Sequence, residues 1–415
     1  MIRAFLFVLF LQLLSLGVSA QSTQCIEDRY SGDPLFAAED VLIHYNVEYG
    51  NAVHYWTGQN TQLLLDIYEP DPSVDPLDQR PFVLLIHGGS FISGNKADMS
   101  AVCLELARRG FVAATMSYRL GWDCDYTNPV ALSGSDCFGF CNACYVSNLY
   151  KGIYMAVQDA NAAMRYMVHE SPAYSIDTDW LFAGGASAGG ITSLLLSTWS
   201  QSEAESIVAP AFANEVGDLN ESGNELTDSF IIKGVVNNCG AVLNPDHMSD
   251  NPNLPIISFH DSNDIVVPYG AGPVGLFLAQ FGYFYGSSVI HSTRLASGEC
   301  SELHTVPNSL NHCSFPAQNL TELASCFLKR VMCGVCVSYS SPDINEPAVC
   351  SALASVDAGT SGCTYANASN YNALATIDNG SCIFEDSCPT DINNDGYTNI
   401  TDLLIFVGYY GTFCN

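Results

Sequence analysis

The run Gly185-Ala186-Ser187-Ala188-Gly189 sets a serine between small neighbours, directly after one apolar segment and directly before another. A hydroxyl can act as a nucleophile when a tight strand-to-helix turn holds it clear of a sheet and a base takes its proton. Small neighbours let such a turn close, and the first amides of the following helix face any anion that forms. A matching signal lies upstream, where His87-Gly88-Gly89-Ser90-Phe91 follows the continuous apolar run 82–86. Glycine lets a backbone turn its amides toward one point, so the amides of Gly88, Gly89 and Ala188 are the candidates to hold the oxygen of a tetrahedral intermediate. His87 reads as a brace for that turn. The chemistry these two motifs describe together is acyl transfer through a serine.

The elements that position them are legible in the apolar pattern. From residue 62 to about 332 short apolar runs alternate with longer amphipathic ones, the mark of strands and crossover helices. Strands are predicted at 63–68, 82–86, 111–116, 180–183, 231–236 and 255–259. Helices are predicted at 97–109, 154–168, from 191 onward, and at 316–332. The fold class is therefore α/β, a mainly parallel sheet flanked by helices. Residues 121–148 break this rhythm with Cys124, Cys137, Cys141 and Cys144 amid Gly and Asn. They read as a disulfide-held insertion over the substrate site.

Leu65-Asp66-Ile67-Tyr68, His87-Gly88-Gly89, Val157-Gln158-Asp159-Ala160 and the Ser187 elbow occur in the order found in one family. Over residues 60–332 the chain resembles the esterase/lipase branch of the α/β-hydrolases, close to carboxylesterases and hormone-sensitive-lipase-like esterases. Ser90 stands where many relatives carry a third glycine. The family order of serine, acid and histidine implies that the partners lie downstream. Phe259-His260-Asp261-Ser262-Asn263-Asp264, followed by Ile265-Val266-Val267-Pro268, resembles the acid-bearing loop and assigns the acid to Asp264, with Asp261 as the alternative. His312, just before the last predicted helix, falls where the family places its base, and His304 is the competitor. The resemblance implies hydrolysis of a carboxylic ester by Ser187, Asp264 and His312, with no cofactor for catalysis.

The remaining signals concern setting and partners. A positive start, the apolar run 4–16 and Val18-Ser19-Ala20 read as a signal peptide over residues 1–20, so the protein is expected to be secreted, and no other stretch is long enough to span a membrane. Seventeen cysteines in an exported chain imply disulfides. The count is odd, and Cys103, on the apolar side of a predicted helix, is the candidate to stay free. Cys333-x-x-Cys336 and Cys141-x-x-Cys144 lack histidines at zinc spacing and read as disulfide cysteines. A formal charge of −30 excludes nucleic acid as a partner.

The catalytic domain is expected over 21–337 and a linker over 338–361. A small Cys-bounded repeat follows at 362–385, then a unit at 386–415 whose loop places Asp391, Asn393, Asp395, Tyr397, Asn399 and Asp402 at the calcium-binding positions of an EF-hand, with Gly396 at the turn. The aspartate at the last position resembles the dockerin variant. Dockerins that bind cohesins carry two such loops and this chain shows one, so the tail reads as an attachment, spacing or sorting module. Such modules favour a polymeric target: an acylated polysaccharide, a feruloyl ester or a polyester. A short-chain carboxylesterase on soluble esters is the alternative, and a non-catalytic binding or adhesion protein on the same fold is the reading from another class.

Overall fold

The computed structural model describes residues 25–26, 28–121, 142–251, 253–276 and 279–350, with two further short strands, Thr360–Gly362 and Ala375–Asp378. Its centre is a sheet built from β1 (Val41–Val53), β2 (Asn60–Pro70), β3 (Arg80–Ile86), β4 (Val112–Met116), β5 (Ile176–Ala186) and β6 (Ile232–Asn238). After β7 (Ala241–Val242) come β8 (Ile256–Asp261), β9 (Ala271–Leu276), β10 (Ala279–Gly286), β11 (Ser301–Val306) and β12 (Tyr339–Ser341). The central sheet has the order β1-β2-β4-β3-β5-β6-β8-β11-β12, and a small second sheet has the order β7-β10-β9. β1 and β2 run antiparallel to their neighbours, whereas every pair from β4 to β12 is parallel.

Parallel strands need crossovers, and helices supply them on both faces. They are α1 (Ser100–Arg108), α2 (Asn142–His169), α3 (Ala188–Thr198), α4 (Gln201–Val208), α5 (Pro210–Val216), α6 (Ser287–Ala296) and α7 (Ala317–Met332). β3 shows why the sheet must be covered twice. Side chains alternate across a strand, so Phe82, Leu84 and Ile86 join the core that includes Ile153, Val157 and Leu194 of α2 and α3. Val83 and Leu85 join the opposite core with Leu106 of α1 and Leu323 of α7. Each such burial stabilises the fold by about 1.5–3 kcal/mol.

The buried polar motifs have structural tasks. Asp159 on α2 accepts the Arg119 backbone N–H at 2.7 Å and pairs with its guanidinium at 2.8 Å. The carboxamide of Gln158 accepts from the same guanidinium and donates to the Gly217 carbonyl. The Val157-Gln158-Asp159-Ala160 motif thus anchors the chain just after β4. Asp66 on β2 accepts from Lys96 Nζ at 2.6 Å, holding the segment that leads into α1.

Several expectations shift in detail. α2 begins at Asn142, so the last residues of the predicted insertion are helical, and residues 122–141 lie outside those described. The predicted linker does not begin at 338. β12 extends the central sheet beside β11, and the Cys326–Cys350 disulfide ties residue 350 to α7, so the catalytic body runs on to about 350. Further disulfides join Cys25 to Cys333, Cys239 to Cys313 and Cys300 to Cys336, while Cys103 is free and buried. Cys333 and Cys336 therefore pair with different partners and do not form a zinc knuckle. Among the described residues no helix is long and apolar enough to cross a membrane. The predicted leader, the predicted Cys-bounded repeat, of which two short strands at its start and within it are described, and the predicted calcium-loop residues Asp391, Asn393, Asp395, Tyr397, Asn399 and Asp402 fall outside the residues whose side chains are described.

Candidate active site

Ser187 sits between β5 and α3 with φ 55° and ψ −117°, a left-handed backbone that costs a non-glycine residue about 1–3 kcal/mol. The turn is sustained from both sides. The Ser187 N–H donates to the Asn238 carbonyl at the end of β6, at 2.8 Å, and the Ser187 carbonyl accepts from the Ile191 N–H in the first turn of α3. Gly185 and Gly189 are there because nothing larger fits. A Cβ on Gly185 would meet the Ile86 carbonyl oxygen at 2.5 Å, and one on Gly189 would run into the same carbonyl group.

The loop after β3 lies directly on this turn. A Cβ on Gly88 would meet the Ala186 carbonyl oxygen at 2.9 Å and the Ser187 Cβ at 3.2 Å. The Gly88 carbonyl is taken by His87 Nδ1 at 2.7 Å, and the His87 ring stacks on Tyr118 with centroids 4.4 Å apart. In a trans peptide the N–H points opposite to the C=O, so the Gly89 amide is directed away from His87. His87 has a structural contact on each side, and burial lowers its pKa despite the Gly88 hydrogen bond.

Asp264 lies in the loop after β8, its side chain fully buried. Oδ1 accepts the amides of Val266 and Val267 at 2.8 and 3.1 Å, which orients the carboxylate. Oδ2 accepts from His312 Nδ1 at 2.7 Å, and His312 Nε2 accepts from the Ser187 hydroxyl at 2.7 Å. The three side chains selected from the sequence are therefore brought into one hydrogen-bonded line. Burial alone would raise the Asp264 pKa, but hydrogen bonds from His260 and His312, the His312 charge and the Val266 amide hold it down at about 2.

The competitors are placed elsewhere. His304 lies within β11, fully buried, stacked on Phe259 and set edge-on to Tyr339, and desolvation depresses its pKa to about 4. Its charged neighbours are Glu302 and Glu346, at 3.6 and 3.8 Å. Asp261 accepts from the Ser314 amide at 2.9 Å and from its hydroxyl, bracing the segment just beyond His312.

Two features escaped the sequence reading. The Cys239–Cys313 disulfide joins the residue after His312 to the residue after Asn238, which holds the Ser187 amide. Cys313 Sγ comes within 3.5 Å of His312 Nε2. With His312, the two sulfurs bring three ligand-type atoms within 4.8 Å, but sulfurs bonded to each other are not thiolate ligands. The second feature is His260, four residues before Asp264 on the same strand-loop segment, with Nε2 3.4 Å from Asp264 Oδ2. The signal for the first was the Cys next to the candidate base; for the second, the His in the acid loop itself.

A narrow cleft opens beside Ser187 and Ala188. Its walls are Phe91, Leu149, Ile191, Val266, Val267, Val274 and Phe284, with Ser90 at the loop side, and its free volume for a water-sized group is about 20 Å³. Leu149 comes from α2, Val274 from β9 and Phe284 from β10, so the hairpin after the acid loop forms one wall.

The chain matches the BD-FAE family model over residues 65–132 and 145–252, the part that carries Asp66, His87, Asp159 and Ser187 and ends before Asp264 and His312. Similar solved structures are esterases. A thermophilic esterase from the Planctomycetes species Thermogutta terrifontis, Est2 with propionate bound, is 18% identical, with 71% of this chain and 95% of that chain covered and a TM-score of 0.46. The same esterase phosphorylated by paraoxon is also 18% identical, with 71% and 95% covered and a TM-score of 0.45. Esterase B from Lactobacillus Rhamnosis (HN001) is 17% identical, with 73% and 89% covered and a TM-score of 0.43. No curated protein matches.

Proposed function

We propose that the protein is a secreted serine hydrolase of carboxylic esters, of the α/β-hydrolase type. The observation that carries this reading is the unbroken line from Ser187 Oγ to His312 Nε2 and from His312 Nδ1 to Asp264 Oδ2, each link 2.7 Å, at the mouth of an apolar cleft. His312 takes the Ser187 proton as the oxygen attacks the ester carbonyl, and Asp264 stabilises the imidazolium and fixes its tautomer. The amides of Gly89 and Ala188 receive the tetrahedral oxygen, with Gly88 giving the loop its close seat on the elbow. The proton then passes to the departing alcohol, and water repeats the sequence on the acyl-enzyme.

The small, apolar cleft beside Ser187 supports a short acyl group. An acetylated or similarly short-acylated polysaccharide fits both this cleft and the appended modules, and a soluble short-chain ester fits the cleft alone. For the tail we propose that Asp391, Asn393, Asp395, Tyr397, Asn399 and Asp402 hold Ca²⁺ as a structural ion.

The test is hydrolysis of nitrophenyl acyl esters of increasing chain length beside acetylated xylan and methyl ferulate. Turnover is expected to peak at acetyl or propionyl. Turnover that rises through octanoyl, or a clear preference for methyl ferulate, would reject the short-acyl assignment.

A further inference from the structure

Next to Asp264 lies a buried polar chain outside the triad. Asn237 on β6, Ser258 and His260 on β8, and Ser287 at the start of α6 are all 0–1% exposed. Asn237 Nδ2 donates to Ser258 Oγ and to Ser287 Oγ, both at 3.1 Å, and its Oδ1 accepts the Gly240 amide at 3.0 Å. That same Oδ1 lies close to Gly190, in the first turn of α3 beyond the nucleophile. Since Ser287 Oγ accepts from Asn237, its own proton is available to His260 Nδ1, 2.7 Å away. His260 Nδ1 is then the acceptor and Nε2 carries the ring proton. That N–H faces the Val267 carbonyl at 3.1 Å and Asp264 Oδ2 at 3.4 Å.

We propose that His260 is a positioning residue for ester hydrolysis: set by Asn237 and Ser287, its Nε2–H is donated to the Val267 carbonyl and fixes the loop whose amides hold Asp264, with the ring edge 3.4 Å from Oδ2. The proposal rests on the triad reading above and deepens it. Oδ1 accepts two amides of that loop and Oδ2 accepts from His312, so a shift of the Val267 segment would move the carboxylate and change the approach of His260 to Oδ2. Among the described residues the charged group facing His260 is Asp264. The neighbours from α6, β6 and β11 are Ser287, Asn237 and Thr305, all neutral, and Tyr269 presents an edge-on ring at 5.6 Å.

With His260 removed, the charge of Asp264 falls more fully on His312. The imidazolium is then favoured, and the acid limb of the rate profile moves to higher pH. The experiment compares His260→Phe, His260→Gln and Ser287→Ala with the wild-type protein for kcat, KM, the pH profile of kcat/KM and the low-field proton resonance of the Asp264–His312 bond. His260→Phe is expected to lower kcat about tenfold, the worth of one lost positioning hydrogen bond, with KM changed by less than about twofold. Its acid limb should move to higher pH and the low-field resonance should shift. His260→Gln, which keeps an N–H near the Nε2 position, should recover most of kcat. Ser287→Ala should move the limb in the same direction by less, and it decides the matter alone if His260→Phe does not fold. Folded variants with an unmoved acid limb and an unmoved resonance would overturn the proposal. A wild-type protein with neither turnover nor labelling of Ser187 by a fluorophosphonate would reject the triad reading itself, and this inference with it.

Discussion

The two halves of the site are held by different kinds of constraint. On the nucleophile side the geometry is local: Gly185, Ser187 and Gly189 are near neighbours in the chain, and steric contact with the end of β3 admits no other residue types at the two glycines. On the base side it is long-range. His312 stands in a loop whose position depends on the Cys239–Cys313 disulfide, spanning 74 residues, and on the contact from Asp261 to Ser314. The difference teaches that a nucleophile's residue types can be written into five consecutive positions, whereas the identity of its base is set only by segments that meet once the sheet has formed.

The comparison breaks most sharply at Gly189. Gly189→Ala forces a Cβ against the rigid Ile86 carbonyl, and overpacking of this kind costs about 1–3 kcal/mol. A displaced elbow should lower kcat/KM by about a hundredfold or more, since misplacement by roughly 1 Å has that effect. Steady-state kinetics and a thermal melt together measure it. A variant with wild-type kinetics would show that the elbow is not sterically determined.

On the base side the matching change is Cys239→Ser with Cys313→Ser. Loss of a disulfide closing so long a loop should lower stability by about 2–4 kcal/mol in a denaturant titration. It should also lower kcat by about tenfold, with the larger displacement on the His312 side, because the elbow keeps its steric seat against β3. Equal losses on both sides would mean that the two halves are not independently held.

The smallest effect concerns pH. The Asp264 carboxyl is depressed to about 2 in the folded protein, below its ordinary value of 3.8. A depressed acid adds stability above its unfolded pKa and loses it as pH falls through the folded one. Stability should therefore decline between about pH 4 and pH 2, and Asp264→Asn should flatten that part of the curve. A slope unchanged by the substitution would assign the acid sensitivity to other carboxylates.

This division also explains what could be read from the sequence. The central strands announce themselves because both faces are buried; β3 is an unbroken apolar run. β1 is different, an edge strand with only three of thirteen residues buried and two register shifts, so it carries little periodicity. β9 and β10 were not among the predicted strands, yet they supply Val274 and Phe284 to the cleft. Asp264 and His312 were found through family order, which stands in for the long-range information. Cys103 was legible as a candidate free thiol because its helical face is apolar, and among the described cysteines it is the one that is buried and free. The disulfide partners were not legible, since pairing depends on distances that spacing does not encode. The role of His260 was hidden for the same reason, because Ser287 and Asn237 come from other elements.

The central claim, that Ser187 is a nucleophile activated by His312, meets its most direct test in a fluorophosphonate labelling rate, with the modified residue located by mass spectrometry. The wild-type protein should be labelled at Ser187, His304→Gln should be labelled at nearly the same rate, and His312→Ala and Ser187→Ala should lose labelling by a factor of about ten thousand or more. Rapid labelling that survives His312→Ala, or that appears on another residue in Ser187→Ala, would contradict it.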